Sequence, residues 1–312
     1  MTFTKGGSLI REDVPRLAKE DEIYLRNSIT NEGCEILAEV LQITTTLKAL
    51  TFYGVGVIAL QNNKFVEALA KNPTIKSLNL WYCNCGVEGA KAIAAVLKEN
   101  STIEIIYLWN NRIGNEGVAE LAEALKVNSS LQRLNLDRNN IGDNGAKSLA
   151  EALKTNKALQ KLDLDRNNIG DDGAKSLAEA LKKNKALKRL DLHENDISDD
   201  GVTALAEALK TNKALQTLYL DSNNIGDDGA KALADALKEN TTLKKLEVSY
   251  NNIGEKGGKA ILNALQENRS SSIESIDLSG NKVSWGTQKQ IDEEIKRIHK
   301  SNIDQGRGGR ET

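Results

Sequence analysis

A 28-residue period constrains this chain more than any other feature. The stretch LQRLNLDRNNIGDNGAKSLAEALKTN at residues 131–156 returns as LQKLDLDRNNIGDDGAKSLAEALKKN at residues 159–184. Starters of the form LxxLxL stand at Leu47, Ile75, Ile103, Leu131, Leu159, Leu187, Leu215 and Leu243. The step slips once, where RSSSIESIDLSGN from Arg269 sets Ile276 two residues late, and EIYLRNS at residues 22–28 supplies a degenerate first copy. About ten units result, each too small to bury its own apolar face, so each must stack on its neighbours.

Two periodicities lie within one unit. In LNLDRNNIG, Leu134 and Leu136 alternate with Asn135 and Asp137 at the strand period, which sends the leucines inward and the polar pair outward. In the segment that follows, Ala146, Leu149, Ala150 and Leu153 fall at i, i+3, i+4 and i+7, the stripe of an amphipathic helix. Asp143 and Asn144 are suited to cap its start, while Gly145 permits close approach there. Strand and helix alternating in this way predict an α/β repeat. At the turn after each strand, Asn111, Asn139, Asn167, Asn195, Asn223, Asn251 and Asn281 form one column. An amide both donates and accepts, so this column reads as a structural ladder that satisfies turn backbone groups in adjacent units. Cys83 takes the Asn slot and Cys85 the following Ile slot, so the Cys-x-Cys spacing reads as core and not as a metal or redox pair.

Composition limits the classes of function. A formal charge of -2, with Lys and Glu interspersed along the helices, gives no basic stripe for nucleic acid. No run of eighteen apolar residues is present, and MTFTKGGSLIRED lacks the apolar centre of a signal peptide, so the expectation is a cytoplasmic protein without a membrane span. Three cysteines, Cys34, Cys83 and Cys85, fit reduced buried thiols. The N-x-S/T triplets at Asn100, Asn128, Asn240 and Asn268 recur where a helix should end and read as structural.

The form xxLxxLxLxxNxIGxxGAxxLAxALKxN resembles the ribonuclease-inhibitor type of leucine-rich repeat, the class also found in the sensor domains of NOD-like receptors. The resemblance implies a right-handed horseshoe, an α/β solenoid with a concave parallel sheet and convex helices, used in relatives to bind proteins. The expected layout is an N-terminal cap at 1–21, the repeat domain at 22–285, a capping helix at 286–303 and a disordered tail at 304–312. Ile10, Val14 and Leu17 are expected to form the first cap, and Ile291, Ile295 and Ile298 the last. The segment TFYGVGVIALQNNKF at residues 51–65 lacks the Asn and the Gly-Ala pair, which predicts an altered turn and a shortened helix.

Function in such an array must come from residues the scaffold does not need. Tyr53, Trp81, Tyr82, Tyr107 and Trp109 occupy outward columns on three consecutive units, so they should meet in one aromatic surface. That surface reads as a hot spot for a protein or peptide; partial burial by neighbours and a small aromatic-lined ligand site are the alternatives. A second zone, Asp137, Asp163, Asp165, Asp191, Glu194 and Asp221, reads either as an acidic dock for Lys or Arg side chains or as a solvated consensus face, and a loosely held divalent ion there stays open. His193 near Asp165 and Asp221 makes a thin case for catalysis, since no nucleophile is assured and an open sheet does not exclude water. The expectation is a non-catalytic scaffold, without a cofactor, that acts as adaptor, sensor or inhibitor of a protein. The alternative is a regulator of a small GTPase, as in related GTPase-activating repeat proteins, for which Asn110, Arg138 and Arg166 are candidates by residue type.

Overall fold

A computed structural model describes residues 2–4, 9–26, 29–54 and 58–308. It divides into two compact bodies, Met1–Asn167 and Asn168–Thr312. The division falls inside the stretch expected to form one repeat domain. A stacked array permits this, because each repeat touches only its neighbours.

In the N-terminal body the elements run β1 (Thr2–Thr4), a short 3-10 turn, α1 (Val14–Leu17), β2 (Glu22–Arg26), α2 (Asn31–Ile43), β3 (Ala49–Tyr53), α3 (Ile58–Gln61), α4 (Asn63–Lys71), β4 (Ser77–Trp81), α5 (Gly86–Glu99), β5 (Ile105–Tyr107), α6 (Gly114–Leu125), β6 (Arg133–Asn135), α7 (Asp143–Leu153) and β7 (Lys161–Asp163). The strands pair in parallel and in chain order, and the 28-residue step sets their register: Leu50 faces Leu78, Leu78 faces Ile106, and Ile106 faces Leu134. Crossovers between sequential parallel strands, of the one hand such units follow, place the described helices on a common face of the sheet. The C-terminal body continues with α8 (Asp171–Leu181), β8 (Arg189–Asp191), α9 (Asp199–Thr211), β9 (Thr217–Tyr219), α10 (Asp227–Leu237), β10 (Lys245–Glu247), α11 (Glu255–Glu267), β11 (Ser275–Asp277) and α12 (Trp285–Gly308). Its strands β8 to β11 follow the same parallel rule.

The core is built as the leucine spacing requires. Leu131, Leu134, Leu136 and Ile141 are fully buried, as are Ala146 and Leu149 on α7. Ala152, outside the expected stripe, is also fully buried, and so are its equivalents Ala124, Ala180, Ala208, Ala236 and Ala264. A Cβ on Gly145 would meet Ile141 Cγ2 at 2.7 Å and Asn115 Oδ1 at 2.8 Å, so the glycine is sterically required.

Helix capping differs from the local expectation. Gly142, the residue before α7, makes no side-chain cap bond. The acceptor comes from the preceding repeat: Asn115 Oδ1 accepts from the Gly142 N–H at 2.8 Å and the Gly145 N–H at 3.0 Å. Asp171 does the same for Ser198 and Gly201, Asp199 for Gly226 and Gly229, and Asp227 for Gly254 and Gly257. An acidic residue in the first turn of one helix thus closes the start of the next, and links neighbouring repeats while it satisfies orphan N–H groups.

The ends hold further corrections. The N-terminal cap includes a strand, with Thr2–Thr4 paired to β2. Val14 and Leu17 are buried, but Ile10 is exposed and Leu9 is buried in its place. In the degenerate second unit the helix is cut to nine residues, α4, restarted by Asn62, whose Oδ1 accepts from the Phe65 N–H at 3.0 Å; part of the turn, residues 55–57, lies outside the described residues. At the far end Ile291, Ile295 and Ile298 are buried. There α12 runs to Gly308 and so takes in residues 304–308 of the expected tail. Residues 309–312 lie outside the described residues.

Candidate functional site: an aromatic face on the N-terminal body

Register brings the five aromatics together. Tyr53 pairs with Trp81 across β3 and β4, and Asn79 with Tyr107 across β4 and β5. Tyr82 and Trp109 follow the ends of their strands. Ring centroids lie 6.5 Å apart for Tyr53 and Trp81, 5.7 Å for Tyr53 and Tyr82, 6.2 Å for Trp81 and Tyr107, and 4.6 Å for Tyr82 and Trp109. The interplanar angles run from 62° to 89°, so each ring presents an edge to its neighbour's face, the favoured quadrupole arrangement. Four of the rings are half-buried, and Tyr82 is exposed.

Tyr82 reaches its place at a conformational cost. Its φ is 57°, in the left-handed region, and the same turn position holds Asn110, Arg138, Arg166, Glu194, Ser222 and Tyr250 with φ between 51° and 56°. Gly54 and Gly280 occupy it in two other repeats. Glycine enters this region freely, whereas a side chain costs about 1–2 kcal/mol there. This column, outward in the sequence reading, is therefore the point where the turn projects a side chain from the sheet edge. Asn110, Arg138 and Arg166, the residues considered for a GTPase role, owe their common place to that turn.

Cations edge the rings. The guanidinium of Arg26 lies 5.5 Å from the Tyr53 centroid, that of Arg133 4.9 Å from Tyr107, and that of Arg138 5.9 Å from Trp109. Arg26, which pairs with Tyr53 one unit before the aromatic column begins, and Arg133, at the first strand position, escaped the sequence reading. The first strand position would have exposed the pattern, since Arg133, Lys161, Arg189 and Lys245 recur there.

The acidic zone is organised differently from an open row of charge. In the N-terminal body Asp163 is 2% exposed, and its Oδ2 accepts from Arg133 Nε at 3.0 Å and Nη2 at 2.9 Å. Asp137 accepts from Asn135 Nδ2 and from the Asp165 N–H at 2.9 Å, and Asn135 is itself buried. Arg166 lies 3.9 Å from Asp165. In the C-terminal body Asp191 accepts from Arg189 Nη2 at 2.8 Å, and Asp221 accepts from the Ser249 Oγ–H at 2.8 Å. Asp191 and Asp221 are 8% exposed, whereas Glu194 is exposed. His193 Nδ1 stands 3.9 Å from Asp221 and Nε2 3.7 Å from Glu194. These carboxylates thus accept internal donors: Asp163, Asp137 and Asp221 from a neighbouring repeat, and Asp191 and Asp137 from residues two positions away in their own. Tyr219 here carries a cation on each side, Arg189 at 4.5 Å and Lys245 at 5.3 Å from its centroid. The hydrogen bond from Lys245 to Glu247 raises the lysine pKa, and burial pushes the Glu247 carboxyl up.

The turn asparagines are consumed by the scaffold. Asn139 Oδ1 accepts from the Asn111 N–H at 3.0 Å and the Ile113 N–H at 3.3 Å, while its Nδ2 donates to the Leu108 carbonyl at 2.8 Å. Asn111 and Asn167 bond similarly in the N-terminal body, as do Asn223 and Asn251 in the other; Asn195 and Asn281 accept from Ile169 and Ile253. Cys83, in the Asn slot, directs its thiol to the Phe52 carbonyl at 3.5 Å and the Trp81 carbonyl at 3.4 Å. Cys34, Cys83 and Cys85 are buried, and burial pushes the Cys34 thiol up to about 11. The helix-end asparagines Asn100, Asn128, Asn240 and Asn268 are buried, and each donates to a carbonyl of the preceding repeat.

On the helix side, charge is paired within single helices: Glu123 with Lys126, Glu151 with Lys154, Glu179 with Lys182 and Glu207 with Lys210. Exposed i,i+3 pairs of this kind contribute little, and they present a mixed, solvated surface. The aromatic face differs from it in kind.

Comparison with known proteins agrees with the repeat. A family model described as Leucine Rich repeat matches residues 71–94, 99–122, 127–150 and 239–262. A model described as TMOD/LMOD Leucine-rich domain matches residues 139–223. No curated protein sequence matches the chain. Among solved structures, Leiomodin-1 Actin-Binding Site 2 is similar at 23% identity and a TM-score of 0.46, covering 52% of this chain and 94% of that one. The tropomodulin C-terminal domain of Caenorhabditis elegans is similar at 17% identity and a TM-score of 0.40, covering 53% and 98%. The chain folds as leucine-rich repeats of mostly 28 residues, and over residues 139–223 it is similar to the TMOD/LMOD leucine-rich domain.

Proposed function

We propose that the chain is a non-catalytic scaffold, ribonuclease-inhibitor-like in its repeat, that binds a protein partner on the helix-free face of its N-terminal body. The observation that carries this reading is the continuous edge-to-face cluster of Tyr53, Trp81, Tyr82, Tyr107 and Trp109. None of the five is needed to stack one repeat on another, and Tyr82 holds a left-handed backbone to join them. Large half-exposed aromatics on a rigid sheet lose little side-chain entropy on binding and bury much area, which makes them the preferred anchors of protein interfaces.

The test compares the parent chain with a Trp81→Ala, Trp109→Ala variant as bait, alongside a panel that includes purified actin and a nucleotide-loaded small GTPase. Loss of a partner by the variant, at unchanged circular dichroism, supports the reading. Retention of every partner at equal affinity excludes the aromatic face.

A further inference from the structure

The edges of the aromatic cluster carry chemistry of their own. Resting on the binding reading above, we infer that this face takes an extended partner segment with an apolar centre and acidic residues at both ends. Arg26 and Arg138 stand at opposite ends of the cluster, over Tyr53 and Trp109. Among the described residues neither forms an ion pair within 4.0 Å, in contrast to Arg133, which Asp163 neutralises. A guanidinium held against a ring is partly desolvated yet keeps its full charge and its donors, so an incoming carboxylate gains a stronger hydrogen bond there than in water. Between the two cations, half-buried Trp81, Tyr107 and Trp109 offer an apolar surface that apolar side chains of the segment would cover, removing it from water.

Spacing fixes the length of the segment. From β2, which ends at Arg26, to the turn after β6, which holds Arg138, is four strand steps, about 19 Å at ~4.8 Å each. An extended chain covers that distance in about six residues at ~3.3 Å per residue. The near carboxylates are already held by donors of the chain itself. Asp163 is paired with Arg133, and Asp137 accepts hydrogen bonds from Asn135 and Asp165. Ring orientation argues against single-stranded nucleic acid, which stacks its bases on open ring faces. Here neighbouring edges and guanidinium groups already cover those faces, at angles of 62° to 89°.

The test titrates the full chain, carrying Trp285→Phe so that Trp81 and Trp109 are the only tryptophans excited at the red edge of the absorption band. Three probes are used: a heptapeptide of two glutamates, leucine-proline-leucine and two glutamates; the same peptide with lysines for glutamates; and an oligouridine. The expected result is saturable binding of the acidic peptide alone. Raising the salt should weaken it, and Arg26→Glu with Arg138→Glu should weaken it by roughly tenfold or more at unchanged circular dichroism. Equal binding of both peptides, or no loss in the charge-reversed variant, overturns the acidic assignment while the aromatic reading stands. A response to oligouridine alone, or to no probe, also overturns it. The binding reading fails separately, if Trp81→Ala with Trp109→Ala leaves capture of a protein partner intact.

Discussion

Replacing Asn139 with alanine removes one rung of the turn ladder while changing almost no surface, because Asn139 is fully buried. Its Oδ1 is the acceptor for the Asn111 and Ile113 N–H groups, and its Nδ2 donates to the Leu108 and Asp137 carbonyls. A buried N–H left without an acceptor costs about 1–3 kcal/mol, and a carbonyl costs less because of its second lone pair. Two orphaned N–H groups alone put the expected loss at about 2–6 kcal/mol. A stacked array need not unfold in one step, so urea unfolding is paired with amide hydrogen exchange. Exchange should accelerate at the Asn111 and Ile113 amides first. The control is Asn140→Gly, one residue on, where the side chain is exposed and φ is 57°; stability there should change by less than about 1 kcal/mol. A loss under about 1 kcal/mol for Asn139→Ala, with exchange at those two amides unchanged, would refute the reasoning.

Three further perturbations follow from the same geometry. Ser222→Gly should raise the urea midpoint slightly, since Ser222 holds φ at 53°, whereas Ser222→Val should lower it. Asp199→Ala removes the shared acceptor of the Gly226 and Gly229 N–H groups and should cost about 1–2 kcal/mol, with early exchange at the start of α10. Hydrogen bonds from the Thr287 hydroxyl and the Ser284 N–H hold the Glu255 carboxyl down at about 2 from an ordinary 4.5. Its contribution is therefore present above about pH 4.5 and is lost as pH falls toward 2. Trp285 fluorescence should report α12 loosening over that window, and Glu255→Gln should abolish the titration.

The 28-residue leucine spacing already contains the strand register, because equal steps must align Leu50, Leu78, Ile106 and Leu134 in a parallel sheet. It also places Tyr53, Trp81 and Tyr107 on neighbouring strands. What stayed illegible depends on partners a full repeat away. Asp163 finds Arg133 thirty residues earlier, and Gly145 finds its cap on Asn115 thirty residues earlier, distances that a reading confined to one unit does not bridge. The left-handed turn was hidden for a different reason. Tyr, Arg and Glu disfavour positive φ, so tertiary structure overrides their local preference, and only Gly54 and Gly280 in that column betray it. The pairing of β1 carried no signal at all, since Thr2–Thr4 has none of the repeat's leucines.

The most direct test of the binding account is the affinity of one captured protein partner, measured by calorimetry for the parent chain, for Trp81→Ala with Trp109→Ala, and for Trp285→Ala. Trp285 is 78% exposed on the C-terminal body and lies outside the aromatic face, so it controls for loss of any surface tryptophan. The account predicts a loss of about 2 kcal/mol or more, roughly thirtyfold in Kd, for the double variant, and parent-like affinity for Trp285→Ala. Parent-like affinity in the double variant, or an equal loss on removing Trp285, would contradict it.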